Sequence, residues 1–192
     1  MRLYLVRHPQ PIVAPDTCYG STDLVVAPEE HERVLRALLP SLPADAPLFS
    51  SPLLRCSGLA ERLAAVRGGV AVQFDARLVE MDFGAWESRA WSDIPRAEID
   101  AWAEDVADYR PGGGESVMQM ARRVRAFHDE VTLLRQDCVV ICHAGTIRML
   151  LACRLDFSPA ELARYVMESQ YKIEYGDVVI CEALQSSRDD RI

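Results

Sequence analysis

Two histidines each follow a short apolar run. The first run reads Met1-Arg2-Leu3-Tyr4-Leu5-Val6-Arg7-His8, and the second reads Cys138-Val139-Val140-Ile141-Cys142-His143-Ala144-Gly145-Thr146-Ile147-Arg148. Apolar runs of this length, rich in aliphatic residues, predict buried strands of a parallel sheet. Such sheets bind ligands just beyond the carboxyl ends of their strands. Two strands that deliver His8 and His143 to that edge, with Arg7 beside the first, predict a two-histidine site. Paired histidines and an arginine, outside any metal-ligand spacing, suit the handling of a phosphoryl group.

Two more charged positions fit that site. Arg55 lies in Ser50-Ser51-Pro52-Leu53-Leu54-Arg55-Cys56, at the start of a helix, and Glu80 lies in Leu78-Val79-Glu80-Met81-Asp82-Phe83-Gly84. A guanidinium grips phosphate through a planar fork that lysine cannot copy. A carboxyl can move a proton to and from a leaving group or a water. His31 and His128 sit among charged helix residues and read as solvated. Arg122, Arg123 and Arg125 read as a solvated helix face. Gly112-Gly113-Gly114 lacks the Lys-Ser/Thr of a nucleotide-binding P-loop.

The elements that must position these residues alternate strand and helix. After the first strand comes a turn-rich loop, Pro9 to Asp23. A helix follows from about Pro28 with Val34, Leu35, Leu38, Leu39 and Leu42 on one face, then a short strand Leu48–Ser50. The next helix runs from Pro52 to about Val66, and a strand from Val70 to Phe74. A long helix is predicted from Glu115 to about Leu134, a helix from Thr146, a final strand Val178–Leu184 and a fraying polar tail Ser186–Ile192. Residues 82–114 are the least regular, with Trp86, Trp91, Trp102 and an amphipathic stretch near 93–106. They read as a lid over the sheet edge. The pattern implies a single domain spanning 1–192, of the three-layer α/β/α class, with a mostly parallel central sheet and a small helical lid insertion.

Composition narrows the function classes. With 192 residues the chain holds one well-buried core and is short for two. A net charge of -8 argues against a general nucleic-acid binder, which carries a basic footprint. It leaves room for an anionic small molecule, because a few arginines set the field of one cleft. No apolar run reaches the roughly 20 residues of a membrane span. No signal peptide opens the chain, and the six cysteines (Cys18, Cys56, Cys138, Cys142, Cys153, Cys181) show no CxxC spacing. Free buried thiols, no structural zinc and a cytoplasmic location are therefore expected. The sequence carries no signal for oligomeric state.

The set Arg7-His8, Arg55, Glu80 and His143, in that order, resembles the histidine phosphatase superfamily, which also holds the cofactor-dependent phosphoglycerate mutases. Gly20-Ser21-Thr22-Asp23-Leu24, the Ser50–Arg55 segment, Leu78 to Gly84, Gly113-Gly114-Glu115-Ser116 and His143-Ala144-Gly145 carry the resemblance over nearly the whole chain. It implies a metal-independent phosphomonoesterase that works through a phosphohistidine, without a cofactor, on a small phosphate monoester. On that pattern His8 is the nucleophile, and a backbone carbonyl accepts its second N–H. Arg7, Arg55 and His143 bind the phosphoryl oxygens, and Glu80 is the proton donor and then the base. Substrate contacts are expected from Thr22, Tyr19, Gln10, Ala144 and Trp86.

At one place the chain departs from that pattern. The family usually reads Arg-His-Gly followed by Glu, whereas here Pro9, Gln10 and Pro11 follow His8. Pro9 removes an N–H and biases His8 toward an extended backbone, which suits a strand-end nucleophile. The asparagine common in the mutases has no counterpart, nor does their basic insertion after the Glu80 region. A phosphatase is expected over a phosphoglycerate mutase. The run Cys18–Asp23 looks like the α-ribazole phosphatase branch, which acts in cobalamin synthesis, with α-ribazole 5′-phosphate as substrate. The alternatives are a phosphoglycerate mutase, a broad-specificity phosphatase and a catalytically silent phospholigand-binding protein, the last motivated by Pro9. The complete Arg7, His8, Arg55, Glu80 and His143 set argues against the silent binder.

Overall fold

A computed structural model describes residues 1–155, 157–168 and 171–182. In chain order its main elements are β1 (Arg2–Arg7), α1 (Pro28–Leu38), β2 (Leu48–Ser50), α2 (Leu54–Val66), β3 (Val72–Phe74), α3 (Arg96–Glu104), α4 (Val117–Thr132), β4 (Cys138–Cys142), α5 (Ala144–Ala152), α6 (Pro159–Glu168) and β5 (Val178–Glu182). The five strands form one sheet in the order β3-β2-β4-β1-β5. The first four run parallel, and β5 pairs antiparallel to β1.

Successive residues of a strand face opposite sides of a sheet, and this alternation builds the three layers. Leu3, Leu5, Cys138, Val140 and Cys142 face α4, α5 and α6, where they pack with Val124, Phe127, Ile147, Leu150 and Leu162. Tyr4, Val6, Val139 and Ile141 face α1 and α2, against Val34, Leu38, Leu59 and Leu63. Each aliphatic side chain fully buried this way contributes about 1.5–3 kcal/mol. The central strands are hydrophobic throughout because helices cover both faces.

The boundaries of the elements follow local chemistry. Pro28 stands at the first turn of α1, where its missing N–H is harmless. Ser116 caps α4, accepting from the Gln119 N–H, while the Gln119 side chain accepts from the Ser116 N–H. This reciprocal box starts the helix at Val117, two residues later than periodicity suggests. α2 begins at Leu54, α5 at Ala144 and β3 at Val72. Helix α6, which the sequence reading did not mark, buries Leu162, Ala163 and Val166 against the core. Leu184 and the Ser186–Ile192 tail lie outside the described residues.

Residues 84–113 form three single turns and α3. They close on a cluster of their own: Cys18, Trp86 and Ile94, with Phe83, Ile99, Trp102 and Tyr109 around them. The Cys18 N–H donates to Arg89 O, and the Ser88 N–H donates to Cys18 O. These two bonds stitch the loop after β1 to this segment. Gly112 (φ 57) packs on the same segment, where a Cβ would come within 2.3 Å of Phe83 O, so only glycine fits.

Two expectations are corrected here. His31 and His128 are buried, not solvated, at 5% and 8% exposure. His31 fits against Gly58 of α2, where a side chain would leave it no room, and His128 lies on the inward face of α4 beside Phe127 and Val131. Arg123 and Arg125 are not a solvated face either. Arg125 donates to Cys153 O, Leu155 O and Phe157 O, closing the chain after α5 onto α4. Arg122 alone of the three is exposed. All six cysteines are free and buried. Among the described residues no helix is long and apolar enough to cross a membrane.

Candidate active site

The carboxyl ends of β1, β2 and β4 lie side by side, and the residues just beyond them meet. Arg7, the last residue of β1, pairs with Cys142. The His8 N–H donates to Cys142 O at 3.0 Å, and the Ser51 N–H to Ile141 O at 2.9 Å. Sheet register therefore brings His8, Ser51 and His143 together, and the two imidazole rings lie 5.1 Å apart between centroids.

His8 is 2% exposed. Its Nδ1 lies 2.7 Å from Pro9 O, so this nitrogen carries the proton and donates it. Nε2 is left with its lone pair. Burial, and then the nearby Arg55 and Arg7 charges, hold the His8 pKa well below the usual imidazole range, so the ring is neutral. Pro9, the departure from the usual pattern, thus supplies a carbonyl that fixes the tautomer.

Arg55 is fully buried. It donates from Nε to His143 Nδ1 at 3.2 Å, and from its two terminal nitrogens to Thr22 O at 2.7 Å and Gly20 O at 2.5 Å. His143 Nε2 lies 2.9 Å from Ser51 Oγ. Burial, followed by His8 and Arg55, lowers the His143 pKa far below its ordinary value. Arg7 donates to Ile173 O at 2.5 Å and lies 3.8 Å from the Tyr175 ring centre. Its Nε is buried and has no hydrogen-bond partner among the described residues.

Glu80 meets the first turn of α5, next to His143. Its Oε2 accepts the Gly145 N–H at 2.9 Å. A Cβ on residue 145 would lie 2.5 Å from Oε1, so glycine is required for the carboxylate to approach. Behind the carboxylate, Arg123 donates to the carbonyls of Arg77, Val79 and Glu80 and pairs with Glu115 at 2.7 Å. This clamp fixes the backbone from which Glu80 projects.

The expected substrate contacts divide. Thr22 offers its carbonyl to Arg55, and the Tyr19 ring centre lies 5.5 Å from the Arg55 guanidinium carbon. Ala144 opens α5 beside His143. Gln10 is exposed, and its N–H is on Glu30. Trp86 is not at a pocket wall. It is fully buried, its Nε1–H donates to Glu98 at 2.6 Å, and Trp91, Trp102 and Tyr109 surround it. Its large apolar ring sits at the centre of the cluster on which the 84–113 segment packs.

Sequence reading missed the roles of several further residues. Glu87 accepts from the backbone N–H groups of Ser21, Thr22 and Phe83 and from both the Ser21 and Thr22 hydroxyls. These contacts hold its pKa below the usual carboxylate value against the opposing effect of burial. The loop held by Glu87 is the one whose carbonyls hold Arg55. Ser51 and Tyr175 were also missed. Ser51 sits in the quoted Ser50–Arg55 segment, so that segment held a signal. Tyr175 is far from every motif and had none.

A sequence model of the histidine phosphatase superfamily (branch 1) matches residues 3–177. A bifunctional protein of Mycobacterium tuberculosis is 33% identical over 124 residues, covering 62% of this chain and 34% of that protein. The chain therefore spans about a third of that relative's length. Phosphoserine phosphatase 1 of Hydrogenobacter thermophilus is 26% identical over 163 residues, 81% of this chain and 76% of that protein. Among solved structures, the alpha-ribazole phosphatase of Shigella flexneri shares the fold with a TM-score of 0.76 at 23% identity, covering 94% of this chain and 89% of that one. A mycobacterial glucosyl-3-phosphoglycerate phosphatase has a TM-score of 0.69 at 27% identity, covering 85% of this chain and 86% of that one.

Proposed function

The chain belongs to the histidine phosphatase superfamily (branch 1), and from that premise we propose that it hydrolyses small phosphate monoesters through a phosphohistidine on His8. The observation that carries this reading is the His8 ring itself. It is buried and neutral, its Nδ1 proton is spent on Pro9 O, and its Nε2 is free beside two arginines. Among the described residues the buried Arg7 Nε–H has no partner, and a bound phosphoryl oxygen would satisfy it.

In the first step Nε2 of His8 attacks phosphorus, the ester P–O bond breaks, and Glu80 delivers a proton to the leaving oxygen. In the second, Glu80 takes a proton from a water that attacks the phosphohistidine, and inorganic phosphate leaves with His8 restored. Arg7 and Arg55 balance the oxygens through both steps, a preorganised charge that needs no reorganisation at the moment of reaction. His143 stays neutral, its Nδ1 accepting from Arg55 and its Nε2–H serving as a donor. We read the chain as one domain in which residues 82–114 cover the sheet edge as a lid. Its six buried free thiols suit a reducing cytoplasm.

Within this class the favoured substrate is α-ribazole 5′-phosphate, which would place the protein in cobalamin synthesis. The support is the Cys18–Asp23 run, which sets the Tyr19 ring beside Arg55. Rapid quench into alkali should trap an acid-labile phosphoryl group that is absent from His8→Ala, and turnover should survive EDTA. Full activity in His8→Ala would overturn the mechanism. Efficiency on ribose 5-phosphate and 3-phosphoglycerate equal to that on α-ribazole 5′-phosphate would overturn the substrate.

A further inference from the structure

The two arginines beside His8 are each faced by a tyrosine. The Tyr175 ring centre lies 3.8 Å from the Arg7 guanidinium carbon and 5.6 Å from the His8 ring. The Tyr19 ring centre lies 5.5 Å from the Arg55 guanidinium carbon. The two hydroxyls meet at 2.7 Å, so the pair bridges from one arginine to the other. Both tyrosines are half-buried, so neither is sealed in the core.

The two sides of the bridge are held by different means. Tyr175 sits in a tight turn just before β5, in which the Asp177 N–H donates to Glu174 O and the Glu174 N–H to the Asp177 side chain. That turn is bonded to the end of β1, with the Gly176 N–H on Arg7 O and the Arg7 N–H on Asp177 O. Tyr19 stands between Cys18, stitched to the 84–113 segment, and Gly20, whose carbonyl takes Arg55. Backbone on both sides is tied down, so a ligand can displace the hydroxyl contact without disturbing the arginines.

We propose that Tyr175, together with Tyr19, sets the leaving-group preference of the site: a flat unsaturated ring carried on the phosphorylated sugar is held against the two phenol rings, and a bare sugar is not. This rests on the phosphatase reading above and assigns the aromatic surface to Tyr175 in place of Trp86. A phosphoryl group between Arg7 and Arg55 leaves the rest of the substrate at the phenol rim. Aromatic side chains at such a rim stack on a base at little entropic cost, since a phenol has few torsions to freeze.

The test compares two substrates with the same leaving oxygen, ribose 5-phosphate and α-ribazole 5′-phosphate, so that a difference in kcat/KM reports the base alone. Wild type should prefer the substrate that carries the base. Tyr175→Leu should lower that preference about tenfold, within the range a stacked base contributes. Tyr19→Leu should lower it in the same direction, and Tyr175→Phe, which keeps the ring, should retain most of it. Equal losses on both substrates in Tyr175→Leu would mean the ring only supports Arg7 and would overturn the proposal. So would a wild type with no preference. Absence of turnover of either substrate by wild type would instead count against the phosphatase reading itself.

Discussion

Arg55 donates its Nε–H to Nδ1 of His143 at 3.2 Å. A guanidinium has donors and no acceptor, so this nitrogen of His143 must accept. The ring proton then lies on Nε2, 2.9 Å from Ser51 Oγ. The site therefore holds two fixed cations, Arg7 and Arg55, beside two neutral imidazoles. Burial and the same cations keep His8 deprotonated at Nε2.

The acid side of the activity profile follows from this arrangement. The His8 pKa is depressed by burial and by Arg55 and Arg7, so protonation of the nucleophile should begin only well below the usual value of about 6.5. For p-nitrophenyl phosphate, kcat/KM corrected for the substrate's own ionisation should hold on acidification through pH 6.5 and fall at lower pH. A corrected kcat/KM that halves at the ordinary imidazole pKa would show that His8 is not held neutral by its surroundings.

Glu80→Gln tests the proton donor. The amide keeps the size of the side chain but has no proton to lose. Hydrolysis of an alkyl phosphate should fall about a hundredfold or more, in the usual range for general acid catalysis. A p-nitrophenyl ester, whose leaving group needs less protonation, should lose less. Equal losses on the two esters would leave Glu80 a positioning role and move attention to Asp82, which accepts from Ser21 and Gly84 nearby.

Glu87→Ala removes the acceptor shared by Ser21, Thr22 and Phe83. The Gly20 and Thr22 carbonyls that hold Arg55 then lose their support. Vanadate or phosphate binding should weaken about tenfold, comparable to the effect of losing one or two hydrogen bonds to a charged group. Glu87→Gln, which still accepts through one oxygen, should fall between the two. Unchanged anion affinity in Glu87→Ala would show that Arg55 holds its place without the loop.

The parts that could be read in the sequence were those governed by short-range rules. Apolar runs ending in His8 and His143 gave two strands and their shared edge, and helical spacing gave α1, α2 and α4. Arg55 and Glu80 were found because they lie in short motifs next to turn residues. Tyr175 and Arg123 were hidden because their roles come from register: β5 pairing with β1 sets the first, and α4 packing under the Glu80 loop sets the second. His31 and His128 were misread because charged neighbours in sequence do not reveal that the histidine itself points inward. Trp86 was misplaced because closeness to Glu80 along the chain does not say which way a ring turns.

All four histidines are buried, and burial is the leading cause of a lowered pKa in each. A group depressed in the folded state keeps its full contribution to stability above its unfolded value. It loses that contribution as pH falls toward the folded value. The urea midpoint should therefore decline between pH 7 and pH 5, before carboxylates begin to protonate. His31→Gln and His128→Gln should each flatten that decline. A midpoint that is level or rising over this window would contradict the buried neutral state.

The placement of β1 between β4 and β5 has a consequence for how the chain is assembled. Of these five strands β1 is made first, and neither of its neighbours is made before residue 138. Arg2 pairs with Glu182, so one edge of the first strand waits for nearly the whole chain. Until then β1 remains an unpaired apolar segment. Loop closure over such distances is slow compared with local helix formation. His8, at the end of β1, therefore gains its neighbours from β4 and from the Tyr175 turn only after most of the chain has been made.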